Sequence, residues 1–488
     1  MDHLHYPGPD KLEHAEIEVT QKIEVDMQIA EFKGKRVLIV GLAKTGVALA
    51  KLLAEQGARV TINDLRPESE FSAALAELSG YPLRAEFGAH RIETFLDQDL
   101  ILVSPGVPIS QPAFEEAKKR NIPISNDLEL AFSLTRAPIL AISGTNGKTT
   151  TTTLLGDIFT RSGKKFILGG NIGTPLSPLV CEHPEAEFII AEVSSFQLEV
   201  IHRFCPRVGV MLNITPDHLD RYTSLDEYIE AKARLFANQT AEDFALVNAK
   251  DPATPTLLQK RQGAGRLLFF RTDDAAPAEE EGIRLQGTEA VVCLDGRSES
   301  ICSLARMKLS GEHNRQNVLA AALAAWLCGV ERTAIQSSID EFCGLSHRIE
   351  FVAEIKGVRF IDDSKGTNVD AVVRAIETVR GPIWLILGGR DKENDYHPLI
   401  PLVRERVRGI LAIGESKDKV AKFFQGIVPV YRFDSFRDAV QQGFSLAFPG
   451  DTVLLSPACA SFDMFESYAH RGQVFKQLVQ EIKDAQQR

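Results

Sequence analysis

A strand running into glycine, threonine, asparagine, glycine, lysine and threonine leaves few folds open, and residues 141–155, AISGTNGKTTTTTLL, contain that succession. The short apolar run at 138–143 predicts a buried strand and the pattern at 150–159 a helix, so the glycines sit where strand turns into helix. That is where phosphate binds. The backbone N–H groups of Gly144, Thr145, Asn146, Gly147 and Lys148, with the helix beginning near Thr150, would surround a polyphosphate. Lys148 would reach its terminal oxygens and the Thr149 hydroxyl would hold Mg²⁺. The longer P-loop pattern is not met, because its first glycine falls at Ile142. An ordinary glycine-rich turn is the alternative, and it leaves the Lys-Thr pair without a structural reason.

The 488 residues exceed what one core can organise, and at ~150 residues per domain about three domains are expected. Lys and Arg number 55 against 66 Asp and Glu, a net charge of -11. That balance disfavours a nucleic-acid binder and still permits a local basic pocket for an anionic metabolite. The seven cysteines form no CxxC pair, which suits a reducing cytosol rather than a disulfide framework or a structural zinc site. The N-terminus has no basic region followed by an apolar core, and no uncharged apolar run reaches ~18 residues, so the expectation is a cytoplasmic protein with no membrane partner.

Residues 1–33 read as an N-terminal extension with no assigned role. RVLIVGLAKTGVALAKLLAEQGARVTINDL then reads as strand, glycine turn, amphipathic helix and strand, ending at Asp64. Its turn approximates GxGxxG with Ala43 in the middle position, where glycine would let the backbone approach a pyrophosphate. NAD binding is therefore less expected than another nucleotide, or packing alone. Strands at 99–103, ending in Ser104-Pro105-Gly106, and near 122–125 complete a first α/β unit.

In the second unit, polar clusters follow apolar strands: GGNIG at 169–173, Glu192 to Gln197 after the strand at 188–193, and Thr215-Pro216-Asp217-His218 after that at 208–213. Such strand ends share one edge of an open parallel sheet, which brings Glu192 and His218 towards the phosphate loop. A carboxylate there suits Mg²⁺ and a neutral imidazole a second metal. Ser224 and Glu227 predict a capping box for the next helix, and Lys232 falls on its apolar face. By default such a lysine snorkels to the rim. The alternative is that desolvation keeps the amine neutral and reactive. Residues 250–310 read as peripheral. Asn314 and Asn317, near the start of an Ala/Leu helix, can face a nucleotide together; N-capping by Asn314 is the plainer account. A third α/β unit has strands at 358–361, 383–387, 409–413 and 452–455, where Lys365, Arg390 and Lys392 make a cationic site suited to an anionic second substrate.

GTNGKTTT, GGNIG, EVSSFQL, NITPDHLDRY, AKARLF, HNRQN, HRIE, DDSKGTN and LSPACASFDMF occur in this order and together resemble the Mur ligases of peptidoglycan synthesis, from about residue 35 to the C-terminus. GLAKTG, SPG and LGGRDK are most similar to the D-glutamate-adding members. The resemblance implies an α/β protein of three domains: a Rossmann-like UDP-substrate domain (34–135), a central P-loop ATPase domain with a parallel sheet (136–345) and a Rossmann-like C-terminal amino-acid domain (346–488). It implies a monomer in the cytoplasm that uses ATP to join D-glutamate to UDP-N-acetylmuramoyl-L-alanine through an acyl phosphate and a tetrahedral intermediate. Another Mur-type ligase or a folylpolyglutamate synthase-like ligase is the alternative. Two Mg²⁺ sites follow, with Mn²⁺ as a substitute: Thr149 and Glu192 at one, beside Lys148 at the ATP phosphates, and His218 and Lys232 at the other, Lys232 being carbamylated by CO₂. Asn314, Asn317, Arg348 and Asp363 are implied in ATP binding. Lys365, Thr367, Lys392, Ser461 and Tyr468, the last in place of an expected Phe, are implied in D-glutamate binding. Thr45, Asp64, Leu65, Arg66, Ser104 and Gly106 are implied at the uridine diphosphate, with Asn171, Ser194 and His218 at the muramoyl-alanyl end.

Overall fold

Three parallel-rich sheets form in succession along the chain. The computed structural model describes residues 32–217, 221–275, 277, 280–344, 346–391 and 394–487. The first sheet is built from β1 (Arg36–Val40), β2 (Arg59–Asp64), β3 (Leu83–Phe87), β4 (Leu100–Val103) and β5 (Ile124–Ser125), all parallel, in the order β3-β2-β1-β4-β5. β1 after Arg36, and β4 throughout, are apolar because helices cover both faces of such a sheet. The strand order reverses between β1 and β4, which opens a crevice beyond their C-terminal ends. β3 is invisible in the sequence pattern: LRAEF is a half-exposed edge strand without an apolar run.

The central sheet contains β6 (Ile139–Ser143), β7 (Phe166–Gly170), β8 (Phe188–Glu192), β9 (Val208–Met211), β10 (Phe244–Asn248), β11 (Arg266–Arg271), β12 (Gly282–Gln286), β13 (Glu289–Leu294) and β14 (Arg297–Ser303). Its order, β14-β13-β12-β11-β10-β9-β6-β8-β7, places β6 between β8 and β9. The phosphate loop, Glu192 and Asn213 thus leave the sheet side by side. The reading of residues 250–310 as peripheral needs correction, because β11 to β14 continue this same sheet. Leu285, Val292 and Ile301 pack into one core with Val318 and Leu323 of the helix Glu312–Leu327. Their signal is weak because β12 to β14 are short antiparallel strands with one solvated face.

The third sheet has β15 (Glu350–Ile355), β16 (Val358–Asp362), β17 (Ile383–Gly388), β18 (Val407–Ile413), β19 (Val430–Arg432) and β20 (Thr452–Leu455), ordered β15-β16-β20-β17-β18-β19 with β15 antiparallel. Two capping expectations shift by a residue or more. Ser224 Oγ accepts from Glu227 N (3.2 Å), but the Glu227 carboxylate accepts from Thr223 N (2.8 Å) rather than from Ser224. Asn314 does not cap its helix: Gly311, at φ +96°, occupies the cap, and Asn314 Nδ2 donates to Ser310 O (2.7 Å).

Candidate active site

The phosphate loop joins β6 to the helix Lys148–Ser162, and the end of β9 holds it in place. Thr145 N donates to Asn213 O (2.8 Å), Asn146 N to Asn213 Oδ1 (2.9 Å), and Asn213 Nδ2 back to Asn146 O (3.0 Å). Gly147 caps the helix at φ +85°, and a Cβ there would stand 2.4 Å from Asn317 Oδ1, so glycine is what lets Asn317 lean on the loop. Lys148 turns its ammonium inward, donating to Gly144 O (2.8 Å) and Thr145 O (2.9 Å). Burial lowers its pKa, while the charges of Glu192 and Asp217 act the other way.

Lys232 does not snorkel. Its side chain is 1% exposed, its ammonium donates to Gly144 O (3.0 Å) and lies 4.7 Å above the Tyr228 ring. Burial first, and the nearby Lys148 charge second, hold its pKa well below the ordinary lysine value. The helix delivers it from beneath the loop, so the rim is out of reach. Glu192, at the end of β8, accepts from Asn171 Nδ2 through Oε1 (3.0 Å), and its Oε2 is buried without a hydrogen-bond partner. An unpartnered buried carboxylate oxygen at the end of β8, the strand paired with the β6 that carries the phosphate loop, is a donor that fits a divalent cation, and the Thr149 hydroxyl is a second oxygen of that kind. Ser194 spends its hydroxyl on a capping box with Gln197 at the start of the helix Ser195–Leu198. His218 and Lys392 lie outside the described residues.

The third sheet's loops face this edge. Lys365 Nζ donates to Thr149 Oγ1 (3.2 Å) and sits 5.4 Å from the Tyr468 ring centroid, so it spans the phosphate-loop helix and Tyr468 of the third unit. Burial, then the Arg348 charge, lowers its pKa to about 8. Asp363 accepts from Ser456 Oγ (2.6 Å) and Ile349 N (3.3 Å), and burial raises its pKa to about 7. Ser461 is buried; Thr367 N donates to Lys365 O (2.9 Å). Asn146, Gly147, Thr150, Asn314, Asn317, Arg348 and Asp363 line one cleft, together with His313 and Arg374, which the sequence left unassigned.

His313 has a consequence for stability. Burial, then the charges of Arg374 and Arg348, lowers its pKa from 6.5 to about 4, so the folded protein keeps the ring neutral. That contribution is complete above about 6.5 and is lost as pH falls towards 4, because the unfolded chain takes up the proton first. Compared with His313→Gln, the unmodified protein should therefore lose up to roughly 3 kcal/mol of unfolding free energy across that window. Denaturant titrations of both proteins at several pH values check this; parallel pH curves would refute it.

The first-sheet residues form a separate cluster at the switch point. Ser104 Oγ donates to Gly41 O (2.6 Å), and Gly46 packs so closely that a Cβ would meet Gly41 O at 2.1 Å. Thr45 lies in the first turn of the helix Lys44–Glu55, whose cap, Ala43, is exposed and has no capping side chain. The outer glycines of the fingerprint are thus needed for packing and the middle one is not. Asp64 is already engaged, accepting from Leu42 N (3.0 Å) and from the Arg66 backbone and guanidinium (3.0–3.2 Å). Leu65 is 46% exposed, and Gly106 sits at φ +91° in the loop after β4. Lys44 Nζ reaches across to Gly173 O (2.5 Å) and Asn126 Nδ2 to Gln197 O (2.6 Å), tying this crevice to the phosphate-loop edge.

The chain matches the Mur ligase MurD-like N-terminal domain over residues 35–126, the Mur ligase middle domain over 142–325 and the Mur ligase glutamate ligase domain over 347–459. It is 44% identical over 453 residues to the UDP-N-acetylmuramoylalanine--D-glutamate ligase of Acidobacterium capsulatum, covering 92% of this chain and 97% of that protein. The chain belongs to the Mur ligase family. The ligase of the same name from Geotalea daltonii is 42% identical over 459 residues, covering 93% of this chain and 98% of its own length. Among solved structures, a pseudomurein peptide ligase type C from Methanothermus fervidus (18% identity, TM-score 0.56, covering 92% of this chain and 100% of that one) shares the fold of this Mur ligase. So does MurF from Acinetobacter baumannii (17% identity, TM-score 0.57, covering 93% and 92%). Among the described residues, no helix is long and apolar enough to cross a membrane.

Proposed function

We infer that this Mur ligase joins D-glutamate to UDP-N-acetylmuramoyl-L-alanine at the expense of ATP, in the cytoplasmic stage of peptidoglycan synthesis. The observation that carries the reading at the level of the site is Lys365, which bridges Thr149 of the phosphate loop and Tyr468 of the third unit. A cation standing between a polyphosphate site and a second anionic site is what a ligase needs, because the acyl phosphate and the incoming amino acid must meet there. A carboxylate is a poor electrophile until one of its oxygens becomes a phosphate leaving group. In our reading the L-alanyl carboxylate takes the γ-phosphoryl group of ATP. The D-glutamate amine then attacks the carbonyl carbon, and the tetrahedral adduct expels phosphate to leave an amide.

Lys148 would hold the β- and γ-phosphates, and Thr149 with Glu192 would hold Mg²⁺ or Mn²⁺, which neutralises charge on the phosphoryl oxygens when bound. Lys232, as a CO₂ adduct, would present a carboxylate to a second cation with His218. Asn314, Asn317, Arg348 and Asp363 would take the adenosine and phosphates, and Thr367, Lys392 and Ser461 would join Lys365 and Tyr468 at D-glutamate. Thr45, Ser104 and Gly106 would hold the uridine diphosphate. Asp64, occupied by Leu42 and Arg66, would act by shaping the loop and aiming Arg66 beside Leu65. Asn171 and Ser194 would face the muramoyl-alanyl end. The division at 34–135, 136–345 and 346–488 belongs to the same proposal; each sheet falls within one of those ranges.

The test is phosphate release from ATP with UDP-N-acetylmuramoyl-L-alanine and, in turn, D-glutamate, L-glutamate, L-alanine, L-lysine or meso-diaminopimelate. Turnover with D-glutamate alone is expected. Turnover with another amino acid would move the protein elsewhere within its family.

A further inference from the structure

The third unit meets the phosphate loop through a side chain that no part of the proposed mechanism uses. After β16 the chain runs through Asp362 to Asn368 into the helix Val369–Thr378, which Asn368 caps by accepting from Ala371 N (2.8 Å). Asp370 therefore sits in the first helical turn, where the helix dipole favours a carboxylate. A single oxygen of it, Oδ2, accepts from Arg374 Nε one turn on (3.1 Å), from Thr215 Oγ1 (3.3 Å) and from Asn146 Nδ2. Asn146 is in the phosphate loop. Thr215 is bound to that loop too, its N–H donating to Thr145 Oγ1 (3.0 Å) and its carbonyl accepting from the same hydroxyl (3.1 Å). A neighbouring tie, Asn368 Nδ2 to Asp217 Oδ2 (3.4 Å), crosses the same boundary. The Asp370 and Arg374 side chains are 25% and 20% exposed, sheltered enough for charge-assisted bonds to count.

We propose that Asp370 is a positioning residue that seats the third unit on the phosphate loop and holds the Arg374 guanidinium at the nucleotide cleft, so that ATP and D-glutamate binding both depend on it. The proposal rests on the ligase reading. The UDP-substrate crevice is tied to the central sheet by other contacts, through Lys44 and Asn126, and lies outside its influence.

Steady-state kinetics on the full chain separate the cases. Asp370→Ala should raise KM for both ATP and D-glutamate about tenfold, the equivalent of one lost charge-assisted contact, and leave KM for UDP-N-acetylmuramoyl-L-alanine within about twofold. Asp370→Asn keeps an accepting oxygen and loses the charge facing Arg374, so its rise should be smaller; it also carries the test if the alanine variant fails to fold. Adding Thr215→Val to Asp370→Ala should change nothing further, its acceptor being already gone. A merely structural role would reduce the active fraction and hence kcat alone. That pattern, equal rises in all three KM values, or no change in any, overturns the proposal. If the unmodified protein releases no phosphate with any substrate, the ligase reading fails instead. Calorimetric binding of ADP then tests Asp370 by itself, equal affinity in the two proteins counting against it.

Discussion

Lys148→Ala is expected to abolish ATP-dependent phosphate release, by about 10³-fold or more, with the fold intact. The ammonium is the cation best placed to follow charge as it moves onto phosphoryl oxygens, since it leaves the loop from the first residue of the helix Lys148–Ser162. The structure also supplies a reason for the fold to survive. Among the described residues, Lys148 donates to the carbonyls of Gly144 and Thr145 within its own loop, and burial already disfavours its charge. Truncation therefore removes a desolvated cation whose burial offsets its attraction to Glu192 and Asp217, and the melting temperature should change little. The measurement is coupled phosphate release together with thermal unfolding. Retention of more than about a tenth of the activity would mean that phosphate is held by the backbone amides alone.

Lys232 carries the second large effect. In the absence of CO₂ the activity should fall by about 10²-fold or more, bicarbonate should restore it, and Lys232→Ala should be inactive with or without bicarbonate. The chemistry follows from burial. A side chain 1% exposed, with its amine held well below its ordinary pKa, is neutral over a pH range in which a surface lysine is charged. A neutral amine adds to CO₂ and releases one proton, leaving an anionic carbamate; falling pH reverses the reaction by protonating the amine. CO₂ sensitivity should therefore grow as pH is lowered. Isotope-labelled bicarbonate would give a carbamate carbon signal in the intact protein that Lys232→Ala lacks. Full activity in CO₂-free buffer would remove the carbamate from the mechanism.

How far the sequence could be read depended on the range of the interaction. The buried parallel strands were legible because β1, β4, β6, β8, β9, β17 and β20 each carry a run of buried, mostly apolar residues, whereas β3, β15 and β19 were not, being edge strands that expose part of their length. Lys232 could be placed on an apolar face by helical spacing alone. Whether it reaches water was a question of what covers that face, and Tyr228 together with the carbonyl of Gly144, 88 residues earlier, answers it. Arg374 lines the cleft without any preceding signal, and His313, though within the HNRQN motif, had no role assigned, for neither has a local reason to point there.

The amino-acid sequence by itself determined the phosphate loop, the order of α/β units and the family, because turn geometry, strand burial and motif chemistry depend on residues close together in the chain. Only the tertiary structure decided that Asp64 is already engaged, that Lys232 stays buried, and that Asp370 meets Asn146 across 224 residues of sequence. Those outcomes depend on which polar groups three separately formed sheets bring within hydrogen-bond distance, and a buried donor or acceptor takes the partner that folding places beside it.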